Sequence, residues 1–265
     1  MDPARFEHLM HLDKPEDTIQ KSQVMLSEAT DDNEIASLLV GMHVAFFKLG
    51  RMEEARRTLE QLKRLEISVL EIRLNAEFCE PTLLVGEGRY EEGLVAFAAM
   101  LDRQAEAFKE PEYRYLYEDI QCRRASVLVA LSRFKEALPI LREAVSFSFD
   151  EPGVEQCAHY ELGVCLENAN ETEAAKQEFI QVVRFGLRNE LEERALYFLA
   201  KIYYLNGALA QAKHQLETIL RDFPDSSATI SRKVVYESLA RIYGYLDDKA
   251  NEKLYTDLAT RSDDV

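Results

Sequence analysis

The chain has 265 residues, enough for one elongated domain or two compact ones, and its 47% hydrophobic and 30% charged composition excludes a disordered chain. With 32 basic and 48 acidic residues it carries a formal charge of −16, a field that repels phosphate backbones and anionic lipid, so neither nucleic acid nor membrane is an expected partner. Only 10 Gly and 7 Pro disfavour a sandwich or barrel, which needs frequent turns, and the expectation is an all-α fold.

The first residues, Met1-Asp2-Pro3-Ala4-Arg5-Phe6, show neither a cationic start nor an apolar stretch, and the chain reads as cytoplasmic. Pro15 to Ala29 reads as a helix with Ile19, Val24, Met25 and Leu26 on or near one face, broken by Thr30-Asp31-Asp32-Asn33. It is either an N-terminal capping helix or the second helix of an incomplete unit begun by Phe6 to Leu12. The apolar run Leu38 to Phe47 is interrupted by Gly41 and His43 and falls short of the ~20 residues that span a bilayer.

From residue 35 the chain repeats. Five segments place a turn residue five positions before Ala or Gly: Gly50 to Ala55, Gly88 to Gly93, Ser132 to Ala137, Asn170 to Ala175 and Gly207 to Ala212. A residue suited to ending a helix, followed by carboxylates at the next helix start, encodes a tight helical hairpin. Four residues beyond each Ala or Gly stand Leu59, Phe97, Leu141, Phe179 and Leu216, and seven beyond stand Leu62, Met100, Ala144, Val182 and Ile219. That spacing is one face of a second helix. Twelve residues before it stand His43, Pro81, Ala125, Gly163 and Ala200, with a sixth candidate at Ala240, and three further on Phe46, Leu84, Leu128, Leu166, Tyr203 and Tyr243 mark the first helix.

These positions resemble the tetratricopeptide repeat family, most closely through Leu196, Leu199, Ala200, Tyr203, Gly207, Ala212, Leu216, Ile219 and Asp222-Phe223-Pro224. The spacings of 38, 44, 38, 37 and 40 residues exceed the family period of about 34, so helices or loops must be extended. The resemblance implies an α-solenoid, a right-handed superhelix of about six TPR-like helix-turn-helix units over residues 35–260, with 1–34 as capping helices or an incomplete repeat and 261–265 as a solvated tail. His43 and Pro81 replace small residues at the crossings, so the first two units are expected to splay and Pro81 to kink or divide its helix. Glu252 and the polar second helix from Lys249 to Thr260 suit a terminal cap.

The resemblance also implies that first helices line a concave groove. There the candidate binding residues are Phe47 and Phe78 in the apolar first half, then Tyr160, Glu167, Arg194, Tyr197, Lys201, Tyr204 and Arg241. Tyr and Arg are enriched at binding hot spots, although aromatics three or four residues apart also serve packing, and these cations have Glu190, Glu193 and Glu237 near them in sequence. The expected ligand is a peptide or protein segment with an acidic group near an apolar anchor. The sequence departs from the chaperone-tail subclass, because apart from Asn75 the matching face lacks its Asn residues.

No metal site, cofactor site or catalytic constellation is expected. His8 and His11 lack a third ligand, His159 lacks an oriented nucleophile, Gly86-Glu87-Gly88 lacks the strand before a phosphate loop, and Cys79, Cys122, Cys157 and Cys165 form no Cys-x-x-Cys pair. The longest spacing puts extra chain around Ala105 to Asp119, where Glu110-Pro111-Glu112 breaks the helix and at least one of Tyr113, Tyr115 and Tyr117 is expected to be exposed. The sequence therefore predicts a non-enzymatic adaptor, monomeric or weakly homo-oligomeric. Its rivals are a peptide-responsive regulator and a self-assembling structural module.

Overall fold

A computed structural model describes residues 14–147, 152–223 and 229–262. Their regular structure is helical throughout, and the chain divides into two compact bodies, Met1–Val127 and Leu128–Val265. The first holds α1 (Pro15–Leu26), α2 (Asp32–Lys48), α3 (Met52–Leu62), α4 (Leu70–Gly86), α5 (Tyr90–Arg103), two 3₁₀ turns at Ala107–Lys109 and Pro111–Tyr113, and most of α6 (Arg114–Ala130). The second holds α7 (Phe134–Ala144), α8 (Pro152–Asn168), α9 (Thr172–Arg184), α10 (Glu190–Leu205), α11 (Leu209–Asp222), α12 (Arg232–Tyr245) and α13 (Lys249–Arg261). His8, His11, Phe6 and Pro224 lie outside the described residues.

Among the described residues, one hydrogen-bond motif closes six hairpins. Gly50, Gly88, Ser132, Asn170, Gly207 and Asp247 sit at φ between 55° and 76°, and the residue after each donates its N–H to a carbonyl five positions back. Arg51 N donates to Phe46 O at 2.9 Å, Arg133 N to Leu128 O at 2.8 Å and Ala208 N to Tyr203 O at 2.9 Å. This pairing satisfies the last carbonyls of the first helix and turns the chain back on itself. The apolar series ending in Tyr203 and Tyr243 thus supplies the accepting residues. Elsewhere, Asp31, Asn189 and Asp248 cap helices by accepting from Glu34 N, Glu192 N and Asn251 N at 3.0, 3.1 and 3.2 Å.

In the first body α1 packs on α2, the α2–α3 hairpin closes, α4 rests on both, and α5 returns along α4. Their apolar stripes form one cluster around Ile19, Leu39, Phe46, Leu59 and Leu83 and another around Leu74, Phe97, Met100, Phe108 and Ile120. In the second body each helix from α7 to α12 packs on its successor, and α10 also touches α8. Fully burying one such Leu, Ile or Phe side chain contributes about 1.5–3 kcal/mol.

The first two hairpins depart from expectation. Pro81 is buried inside α4, which continues through it to Gly86 without dividing. The small residue at this crossing is supplied by α5: a Cβ on Gly93 would lie 2.7 Å from Val85 Cγ2 and 3.5 Å from the Pro81 carbonyl. His43 is likewise accommodated by Ala55, which is fully buried. His43 Nδ1 lies 2.9 Å from Ala55 O, and since a carbonyl only accepts, Nδ1 carries the proton. In both hairpins the small side of the crossing is the second-helix Ala or Gly that the first five repeats share.

Side-chain latches tie successive hairpins. Ser68 N and Val69 N donate to Asn33 Oδ1 at 3.0 and 2.9 Å, and Glu66 N donates to Asp32 Oδ2 at 2.8 Å. In the second body the fully buried Gln156 donates to Val182 O at 3.1 Å and accepts from Asn189 Nδ2 at 2.6 Å.

Candidate functional site

The second body presents a pocket of about 130 Å³ between α10, α11 and α12, lined among others by Tyr197, Lys201, Tyr204, Leu216, Ser238 and Arg241. Helix geometry assembles it. Tyr197, Lys201 and Tyr204 recur at i, i+4 and i+7 on α10, the buried Leu216 forms the floor, and Ser238 and Arg241 are one turn apart on α12. The wall is apolar beneath and aromatic and cationic above, which suits an apolar side chain with a polar group beside it.

Each of the three predicted cations has a different environment. Lys201 Nζ donates to Glu167 Oε1 at 2.6 Å, so these two candidate residues form an ion pair. Arg194 pairs with Glu190 one turn earlier and also hydrogen-bonds the Tyr160 phenol. Burial raises the Tyr160 pKa, and that cation opposes the rise. Arg241 is exposed and meets the Tyr204 phenol. The Tyr204 pKa is raised, first by its hydrogen bond with Tyr245 and against the influence of Arg241. The Tyr204 and Tyr245 rings lie 6.0 Å apart.

Tyr160 packs edge-on against Phe198, with centroids 6.4 Å apart, and Phe198 stacks on Phe179 at 4.8 Å. Its ring therefore belongs largely to the packing between α8 and α10. The structure adds Ser238, Leu216 and Tyr245 to the residues named from sequence. Tyr245 is 68% exposed and adjoins Tyr204, so it extends the aromatic rim beyond the pocket.

In the first body, Phe47 and Phe78 are both half-buried. Phe47 packs against Gly86, where an added Cβ would fall 2.4 Å from its ring. Phe78 lies 5.9 Å from Phe97 under the Arg123 guanidinium, 5.2 Å from its centroid. Ser37 and Val40, on the same first-helix face as Phe47, are 4% and 3% exposed, and Val40 shares its cluster with Ile19 of α1. That part of the face is covered.

Residues 194–226 match the tetratricopeptide repeat profile. Solved structures with similar folds include Pseudomonas aeruginosa pilF, at 14% identity and a TM-score of 0.63 over 87% of this chain and 92% of that one. The apo form of RapI aligns at 12% identity and a TM-score of 0.69, over 94% of this chain and 74% of its own. YrrB, described as a TPR protein with an unusual peptide-binding site, aligns at 20% identity and 0.52, over 77% and 93%. The fold is that of a tetratricopeptide repeat protein. No curated protein sequence matches the chain.

Within this TPR fold His159 has a carboxylate partner. His159 Nδ1 lies 2.7 Å from Glu178 Oε2, and its ring neighbours Phe185. Cys79 and Cys165 are buried free thiols whose pKa values burial pushes up to about 12, which keeps them protonated and unreactive. Among the described residues no group of three or more His, Cys, Asp or Glu is placed to hold a metal, and no helix is long and apolar enough to cross a membrane. Tyr113 and Tyr117 pack on the second cluster of the first body, whereas Tyr115 is 51% exposed.

Proposed function

We propose that this chain is a non-enzymatic protein-interaction adaptor whose second body binds a peptide or protein segment on the α10–α12 face. An apolar anchor of the segment enters the 130 Å³ pocket over Leu216, and an acidic group beside it meets Arg241. The observation that carries this reading is the pairing pattern. Lys201 and Arg194 are already neutralised by Glu167 and Glu190, which leaves Arg241, held at a phenol, as the cation ready to exchange a neutral neighbour for a carboxylate. The assignment of residues 35–260 as the repeat array, 1–34 as its cap and 261–265 as a tail belongs to the same proposal, as does function in the cytoplasm.

Selection from a display library of random twelve-residue peptides tests it. Wild-type protein is expected to enrich sequences with Asp or Glu within four positions of Leu, Met or Phe. Arg241→Glu, matched to wild type in helicity and melting, should lose that enrichment. Identical enrichment by both proteins would refute the assignment.

A further inference from the structure

The repeat sets a baseline against which single exposed residues can be judged. Two positions before the turn residue of each hairpin, at the end of the first helix, stand Lys48, Gly86, Ala130, Asn168, Leu205 and Tyr245. The fold leaves this place in water every time, since all six residues are exposed. In the first four hairpins it holds a cation, two small residues and an amide, as an exposed helix end ordinarily does. In the last two it holds Leu at 69% exposure and Tyr at 68%. Leu205 stays exposed although the α12–α13 hairpin follows it, as Asn168 does with the α10–α11 hairpin after it, so the openness of this place does not depend on where the chain stops.

A lone exposed Leu needs no explanation, but these two apolar residues fall on α10 and α12, the first helices that line the pocket over Leu216. The four small or polar ones fall on first helices that do not. Leu205 lies four residues beyond Lys201 and Tyr245 four beyond Arg241, so each stands about 6 Å further along its helix, toward the turn edge. The Tyr245 ring reaches back to Tyr204, with centroids 6.0 Å apart and the two phenols hydrogen-bonded, which makes its surface continuous with the pocket rim. The area is that of a side-chain contact. A Tyr side chain buries at most about 250 Å², whereas a stable protein interface takes roughly 800 Å² per partner, so this patch suits one more side chain of a bound segment better than a second copy of the chain.

We propose that Leu205 and Tyr245 form an outer shelf of the α10–α12 face that receives a second apolar side chain of the bound segment, on the turn side of Arg241. The inference rests on the reading that a segment enters the pocket over Leu216, and it adds the direction in which that segment runs. A separation of about 6–7 Å is that of side chains at i and i+2 of an extended chain, or at i and i+4 of a helix. The partner segment therefore carries two large apolar residues two to four positions apart, one for the pocket and one for the shelf, with the carboxylate for Arg241 close to both.

The test is selection on the full chain from a peptide display library with Leu-Glu fixed at its centre and four randomised positions on either side. Wild type is expected to enrich a second Leu, Ile, Met or aromatic residue two to four positions from the fixed Leu. Leu205→Asn, which copies the preceding hairpin and is checked for unchanged helicity and melting, should still capture the fixed core but lose the second preference. A selected peptide, fluorescein-labelled, should bind wild type about tenfold more weakly by anisotropy when its second apolar residue is replaced by Ser, and Leu205→Asn should bind the two peptides about equally. Capture of the core that is lost in Arg241→Glu, with no second preference in wild type or with that preference kept in Leu205→Asn, would overturn the shelf and leave the pocket reading standing. No enrichment by wild type would overturn both. A concentration-dependent doubling of mass in sedimentation that Leu205→Asn abolishes would give the shelf to a second copy and overturn the proposal as well.

Discussion

The six turn residues are where single side chains decide most. An L-residue at positive φ brings Cβ toward a carbonyl and costs about 1 kcal/mol relative to glycine, less for Asn and Asp. Gly207 is at φ 73° with nothing within 4 Å of an added Cβ, so Gly207→Ala isolates backbone strain from any clash. It should destabilise the protein by about 1 kcal/mol, and Ser132→Gly should stabilise it by up to about 1 kcal/mol, both read by urea denaturation. His43 offers a second residue-scale test. Its burial, at 1% exposure, depresses its pKa below the ordinary 6.5, against the hydrogen bond from Nδ1 to Ala55 O. The unfolded chain therefore binds the proton first as pH falls. The contribution of neutral His43 is intact above the unfolded value near 6.5 and is lost as pH drops through the depressed folded value. The urea midpoint of wild type should fall more steeply between pH 7 and 5.5 than that of His43→Gln, and parallel curves would contradict this account. Gly50, Gly88, Ser132, Asn170 and Gly207 were legible as turns because they recur in register, whereas Asp247, the sixth, was not, since a lone Asp beside a second Asp has no distinguishing composition. The His43 contact was equally hidden, because nothing local says that the imidazole meets the carbonyl of Ala55, twelve residues on.

At the scale of helices, each hairpin is closed by one tight approach, and the sequence marks it by size. Gly163 lies against Phe179, where an added Cβ would stand 2.7 Å from Cε1, and Phe179 stacks on Phe198 of the next hairpin. Gly163→Ala should therefore push the ring off its stack and cost about 1–3 kcal/mol. Phe179→Ala, which empties a fully buried site, should cost about 3–5 kcal/mol. In thermal melts the two should rank in that order, and a neutral Gly163→Ala would show that α8 and α9 can separate without loss. The first-helix and second-helix stripes predicted from spacing match the buried faces because a 3.6-residue period constrains them locally. Pro81 misled for the opposite reason. Its effect on α4 depends on Gly93 of α5, a neighbour that helix propensity does not see. The candidate site shows the same limit. Tyr197, Lys201, Tyr204 and Arg241 follow from position on the repeat, but the 2.6 Å pairing of Lys201 with Glu167 and the placement of Tyr245 against Tyr204 arise from how consecutive hairpins lean together.

For the whole molecule, charge and site chemistry act at different ranges. A formal charge of −16 repels an acidic segment at long range, while Arg241 attracts its carboxylate at contact. Raising salt should thus speed association of a library-selected acidic peptide, the reverse of ordinary steering, and stopped-flow mixing at 50 and 500 mM salt checks the sign. The most direct test of the central claim is hydrogen exchange of the full chain with and without such a peptide. Protection should rise in segments containing residues 197–204 and 238–242 and should stay unchanged at Tyr113–Tyr117. Protection confined to the first body, or none at α10 and α12 under saturating peptide, would contradict recognition on that face.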